Sequence, residues 1–217
     1  MKYGTSLIHL DNKWDLDDFT ILTKEYQQLY GFFHTLIQVE NGVFGELEFE
    51  RMPWLGGASV VHFFSAMGKY VHPMHKPTVK EIQYASPGFI ELALLIEPAQ
   101  DIALLVGSIA GSFTTVAATY NVIHREYQKR QLTQFKMKEL EAAQQHDQIA
   151  FVKNSVGELH RSLNLKRKQA EALEKLSKHD ELVQLKMLLA LYRRAKPIAK
   201  LQVDNKANLN QERKHDE

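Results

Sequence analysis

The sequence predicts an α+β protein: a small N-terminal α+β domain followed by a long apolar helix and a C-terminal helical or coiled-coil region. Three observations indicate this class. Residues 1–97 carry strand, helix and hairpin signals, residues 102–123 contain no charged side chain, and the later apolar residues recur at steps of three and four.

The N-terminal domain begins with a strand and a helix. Residues 5–10, TSLIHL, have the composition of a short strand, and Asp15 is a suitable N-cap for the next element. Helical spacing of apolar residues then predicts a helix over about residues 16–38. After a glycine-rich connector with a short strand at residues 43–49, the stretch ASVVHFFSAMGKYV predicts a second helix.

Two extended runs, Val79–Ala85 and Phe89–Ile96, flank Ser86-Pro87-Gly88 and predict a β-hairpin. Proline presets the φ angle of the first central turn position, and glycine tolerates positive φ at the next. We therefore expect the turn residues to be structural and Gly88 to have positive φ.

One long helix is predicted over residues 98–146, with a possible membrane segment at residues 102–123. Large apolar residues occupy one face of this segment and would contact lipid or a core, whereas small residues occupy the other. Closely packed helices use such small residues, and their hydroxyl groups are suited to line a pore. The predicted helix-packing or pore-lining residues are Gly107, Ser108, Gly111, Ser112, Thr115 and Thr119. The alternative is that this helix forms the core of a soluble bundle.

Residues 147–202 are predicted to form a helical hairpin or a coiled coil, and residues 203–217 a disordered tail. The spacing is compatible with self-association or with packing inside one chain. The apolar residues that carry it are Val152, Val156, Leu159, Leu163, Leu182, Leu185 and Leu189.

Composition and motifs argue against an enzyme. The chain has 27 Lys and Arg against 26 Asp and Glu, and it has no cysteine, so it offers neither a strongly basic surface nor a thiolate site. Phosphate-loop, dinucleotide-binding, hydrolase and zinc-protease motifs are all missing. His72 and His75, with His62 nearby in sequence, have no acidic or cysteine partner beside them, so we predict no metal and no cofactor.

Three basic clusters are candidate contacts for phosphate or another ligand. The alternative is an ordinary solvated helix face. The residues are Lys129, Arg130, Lys166, Arg167, Lys168, Arg193 and Arg194.

The combination of KWDLDDFTILTKEYQQLY and VKEIQYASPGFIELAL with a following apolar helix resembles a group of small uncharacterised bacterial proteins that share a Tyr-x-Ser-Pro turn. More distantly, the layout is similar to membrane-active effectors of anti-phage defence systems. That resemblance implies a sensor joined to a membrane-disrupting element, with a nucleotide or oligonucleotide as the signal.

The expected function is therefore that of a non-enzymatic homo-oligomeric effector without a small-molecule substrate. It would act by membrane disruption or channel formation at the cytoplasmic side of the inner membrane. The lack of a secretory signal at the N-terminus favours that side. The alternative is a soluble helical scaffold or adaptor in the cytoplasm.

Overall fold

A computed structural model describes residues 2–43, 58–135 and 137–209. Within these ranges the chain forms eight α-helices, two short 3-10 helices and four β-strands, which confirms the predicted mixture of helix and sheet. The strand predicted at residues 43–49 lies, apart from Val43, outside the described residues.

The four strands form one antiparallel sheet in the order β2-β3-β1-β4. Their bounds are β1 Tyr3–Leu10, β2 Thr78–Gln83, β3 Gly88–Leu95 and β4 Ala207–Asn208. In the long central pair, Tyr3 lies opposite Leu95 and Leu10 opposite Gly88. The predicted first strand and hairpin are thus both present.

The helices follow the chain order. Their bounds are α1 Leu16–Glu40, α2 Ala58–Tyr70, α3 Ile96–Gly111, α4 Phe113–Lys129, α5 Met137–Ala142, α6 His146–Ser162, α7 Arg167–Leu176 and α8 Glu181–Val203. Asp15 caps α1 as predicted: its carboxylate accepts from the Asp18 backbone N–H at 2.9 Å, and the Asp18 carboxylate accepts from the Asp15 N–H at 3.1 Å.

The chain folds into two compact units. The first comprises Met1–His34, Met67–Phe113 and Arg194–Glu217 and contains the sheet; the second comprises Thr35–Ala66 and Thr114–Arg193. α1 and α8 each supply residues to both units, so each unit is built from segments that are distant in sequence.

The single long helix predicted over residues 98–146 is wrong. α3 ends at Gly111, and α4 begins at Phe113 after a bend of 92°. A Gly-Ser pair is a common site of sharp kinks, because glycine is a poor helix former and serine offers competing local hydrogen bonds. Beyond α4, the left-handed backbone of Gln131 (φ 53°) separates a 3-10 turn from the helix.

Among the described residues, no single helix combines the length and apolarity needed to cross a membrane. α3 and α4 meet that requirement only as a pair taken across the bend.

Large and small residues of the 102–123 segment have opposite surroundings. Val106, Ile109, Val116 and Ile123 are buried in the cores of their own units, so the large face packs against protein in this structure. The small-residue face remains at the surface, where Gly111 is exposed. This arrangement agrees with the alternative that the segment builds a core.

The heptad-spaced residues of the C-terminal half are also buried in the second unit. Val152, Leu159, Leu163 and Leu185 have no exposed surface. Their contacts lie within one chain, which is the intramolecular alternative, and a coiled coil is not confirmed.

The predicted disordered tail is ordered at its start. Ala207 lies opposite Leu10 as part of β4, and the Lys206 carbonyl accepts hydrogen bonds from the Asp11 N–H at 2.9 Å and the Trp14 indole N–H at 3.0 Å. Pairing with β1 gives this polar stretch backbone partners that local composition does not indicate.

Glycine at position 88 is required for a different reason from the one predicted. Its φ is not positive, and the Ser86–Pro87 peptide bond is cis. A Cβ atom on Gly88 would lie 2.7 Å from the Ala85 carbonyl oxygen and 2.8 Å from the Ala85 nitrogen. Close backbone approach, not left-handed geometry, therefore selects glycine.

Candidate anion-binding site

The second unit contains a polar pocket of about 140 Å³. Its walls carry an imidazole, an ammonium and a guanidinium group together with neutral polar groups. The lining residues are His124, Tyr127, Gln128, Thr133, Lys186, Leu189 and Arg193.

Helical spacing explains why these side chains meet. His124, Tyr127 and Gln128 are three and four residues apart on α4, so they share one helix face. Lys186, Leu189 and Arg193 have the corresponding spacing on α8. Each helix thus presents one face to the pocket.

Lys186 is the least expected member of the pocket, because it is only 8% exposed. Its Nζ donates to the Phe135 carbonyl oxygen at 3.4 Å, and no ion pair of this ammonium occurs among the described residues. Burial lowers the pKa of Lys186, an effect partly offset by Asp180 and Glu139. A buried cation with one long hydrogen bond is a poorly compensated charge that an anion would stabilise.

Arg193 adds a second cation at the exposed side of the pocket. It forms no ion pair with any acidic residue in the described part of the chain. Burial lowers the pKa of His124, and the nearby Arg193 guanidinium lowers it further. At neutral pH the His124 imidazole is therefore held in its neutral form, able to donate one hydrogen bond and to accept another.

Aromatic stacking holds the imidazole in place. The Tyr120 ring stacks on His124 with centroids 5.3 Å apart and an interplanar angle of 11°, and on Tyr192 at 4.2 Å. The pKa of Tyr127 is raised by burial, while a Thr133 hydrogen bond and Arg193 act in the opposite direction. The stacked Tyr120 ring thus lies against His124, and the raised pKa of Tyr127 keeps its hydroxyl neutral at neutral pH.

This arrangement can bind a small anion. None of the seven lining residues carries a carboxylate, whereas two are cationic and four others offer hydrogen-bonding groups. Pockets for drug-sized ligands occupy roughly 300–1,000 Å³. The smaller volume here fits a phosphate or carboxylate group but does not enclose a whole nucleotide.

The predicted basic clusters do not converge on one site. Arg193 alone lines the pocket, and Arg194 instead pairs with Glu25 at 3.3 Å. Lys129 and Arg130 approach Glu126 at 4.0 and 3.8 Å.

The remaining cluster, at the start of α7, lies on the surface. Arg167 pairs with Glu171 at 2.8 Å, Lys168 is exposed, and the Lys166 backbone N–H donates to the Gln169 side chain. Most of the predicted phosphate contacts are thus surface charges or local pairs.

The predicted helix-packing residues do not line this pocket. Gly111, Ser112 and Thr115 are exposed, and Gly107, Ser108 and Thr119 are half-buried.

Lys186 and His124 were not predicted from the sequence as site residues. The sequence does contain a pattern that indicates Lys186: this charged residue interrupts the apolar series Leu182, Leu185, Leu189 on the buried face of a helix.

The histidines considered for a metal are partly clustered in the first unit. The His75 ring centroid lies 5.7 Å from those of His72 and His34. No three His, Cys, Asp or Glu side chains in residues 2–43, 58–135 and 137–209 are arranged to hold a metal ion. The side chain of His62 is outside the described set.

The fold and pocket together define a mixed α+β protein with a small cation-lined site. No family model, curated protein or solved structure matches this chain.

Proposed function

We propose that this chain is a non-enzymatic, ligand-responsive effector or adaptor whose signal is a small anion bound in the pocket of the second unit. The ligand is a free phosphate or carboxylate compound, or the phosphate group of a nucleotide that extends outward. The main support is one observation: Lys186 is buried and lines the same pocket as Arg193, and no carboxylate of the described residues forms an ion pair with its ammonium.

Calorimetric titration with inorganic phosphate and with acetate at low ionic strength tests this proposal. Arg193→Gln removes a charge-assisted hydrogen bond, which contributes about 1.5–3 kcal/mol, so affinity should fall at least about tenfold. Lys168→Gln is the matched control, because it removes an exposed cation that does not line the pocket. Equal binding by wild type and both variants, or no binding by any of them, would refute the anion site.

Membrane disruption by an oligomer is the second candidate function. It is favoured by the surface position of the small residues between Gly107 and Thr119 and by the apolarity of the α3–α4 pair. In this proposal, exposed glycine, serine and threonine residues of neighbouring copies pack together at a membrane.

A pair of surface variants tests this second candidate. A Cβ atom on Gly111 would meet open space, so Gly111→Leu should fold normally while blocking close helix approach. Val122→Leu is the control, because Val122 is 53% exposed and large already. Depolarisation of expressing cells by wild type and Val122→Leu but not by Gly111→Leu is expected; unchanged membrane potential in all three would exclude this function.

A further inference from the structure

We propose that Lys186 captures its ligand covalently, by forming a reversible imine with a small 2-oxo acid whose carboxylate is held by Arg193. This inference rests on the proposed anion site and names its ligand class. It assigns different tasks to the two basic side chains: the Arg193 guanidinium binds the charged end of the ligand, and the neutral amine of Lys186 reacts with its carbonyl carbon.

The position of Lys186 is unusual for a lysine whose only task is to attract an anion. Its side chain is 8% exposed, lines the pocket and has one long hydrogen bond, to the Phe135 carbonyl. Lysine is rarely buried without a partner, because a desolvated ammonium costs several kcal/mol. A neutral amine avoids that cost and is the nucleophilic form of the side chain.

When no anion is bound, burial favours the neutral amine of Lys186, whereas the neighbouring carboxylates favour the ammonium. Burial is the largest effect and lowers its pKa, while Asp180 and Glu139 act in the other direction. The same pocket is also lined by His124 and Tyr127 from α4 and by Arg193 from α8, the helix that carries Lys186. A lysine pKa lowered by burial is the usual means by which Schiff-base lysines react near neutral pH.

The reaction needs no oxidant, reductant or further reactant. The nitrogen lone pair forms a C–N bond with the carbonyl carbon as the π bond of the carbonyl breaks, and the oxygen takes up the first proton lost by the amine. Loss of water from this carbinolamine, with release of the second amine proton, leaves the C=N bond. His124 is neutral at neutral pH and can relay the protons.

Pocket size and the guanidinium group select the ligand. The planar guanidinium group of Arg193 can hold a carboxylate through two parallel hydrogen bonds. A volume of about 140 Å³ admits only a short carbon chain beyond that carboxylate. A three-carbon 2-oxo acid, with its carbonyl next to the carboxylate, is therefore the best probe.

Incubation with pyruvate and cyanoborohydride, followed by peptide mass mapping, tests the inference. One reduced pyruvate adduct is expected on Lys186, and it should form faster at neutral pH than the adduct on exposed Lys168, because a lowered pKa raises the fraction of neutral, nucleophilic amine. Lys186→Met should lose this adduct, and Arg193→Gln should slow its formation. Modification of Lys186 no faster than Lys168 would overturn the inference.

Acetate separates this inference from the proposed function, because it has a carboxylate and no ketone. Acetate that binds and slows Lys186 labelling supports both. Acetate binding that needs Arg193, without a specific pyruvate adduct, overturns the imine and leaves the anion site standing. A third outcome is specific labelling of Lys186 without acetate binding and with the same labelling rate in Arg193→Gln. That outcome contradicts the anion site and the inference that rests on it.

Discussion

At the residue scale, His34 is a buried titratable group without a compensating partner. It is 4% exposed, and its Nε2 has no hydrogen-bond partner among the described residues. Burial and the neighbouring His75 lower the pKa of His34 to about 4. The folded state therefore excludes a proton that the unfolded state accepts near pH 6.5.

Acid should destabilise the protein through His34. Between pH 6.5 and about 4 the unfolded state binds more protons, so stability falls as pH falls through this window. His34→Leu should reduce the difference in unfolding free energy between about pH 7.5 and about pH 4.5. Urea unfolding at both values measures it, and each protein serves as its own control for packing changes. An equal change in unfolding free energy between the two pH values in wild type and variant would contradict the role assigned to His34.

The hairpin turn gives a second prediction for a single residue. Gly88→Ala should lower the unfolding free energy by about 1–3 kcal/mol, because its Cβ would overlap backbone atoms of Gln83 and Ala85. Gly157→Ala is the matched control: nothing lies within 4 Å of its Cβ position in α6, so it should stabilise by about 0.5–1 kcal/mol. Thermal unfolding compares them, and a neutral Gly88→Ala would refute the close approach.

At the element scale, helix identity was predictable but helix continuity was not. Asp15, the apolar spacing after it and the paired extended runs mark α1, β2 and β3 through local rules. The end of α3 at Gly111 depends on a modest local preference of Gly-Ser that tertiary packing can use or override. The strand at Ala207 depends on a partner almost two hundred residues earlier.

The buried heptad residues make a prediction about the C-terminal helices. Leu185→Ala should cost about 2–5 kcal/mol of unfolding free energy, because Leu185 is fully buried within the second unit. If this packing is intramolecular, the melting temperature should not change with protein concentration. A melting temperature that rises with concentration, together with dissociation of a Leu185→Ala oligomer, would show that the heptads join separate chains.

At the scale of the whole chain, residues near its two ends meet in the first unit. The Lys206 ammonium lies 2.6 Å from the Asp18 carboxylate. Burial raises the pKa of Asp18, but the hydrogen bonds from Lys206 and Asp15 outweigh that effect and the pKa is lowered. This pair therefore stabilises the fold above the ordinary pKa of an aspartate and is lost as pH falls.

Lys206→Met should lower the melting temperature at pH 7. The difference in melting temperature between wild type and variant should shrink as the pH is lowered through the acid range in which Asp18 takes up a proton. Lys200→Met is the matched control, since Lys200 forms a more exposed pair with Asp204 at 2.9 Å and exposed pairs contribute little. Equal melting temperatures for the two variants at pH 7 would contradict a stabilising role for the Lys206 pair.

The pocket could not be predicted, because it depends on which helix faces pack together. The sequence places Arg193 and Arg194 in one basic cluster and does not distinguish between them. In the structure, Arg194 lies one residue further along α8 and pairs with Glu25. A step of one residue turns a side chain by about 100° around a helix. Neighbouring arginines therefore reach different surroundings, which only the packed structure reveals.

In the proposed site, a bound anion compensates the buried Lys186 ammonium. The most direct test is a measurement of the pKa of Lys186. The ¹³C resonance of its ε-carbon is recorded as a function of pH in the absence and in the presence of phosphate. A bound anion favours the charged form, so phosphate should raise the pKa of Lys186 from its lowered value, and Arg193→Gln should weaken this effect. A Lys186 titration that is identical with and without phosphate would contradict the claim.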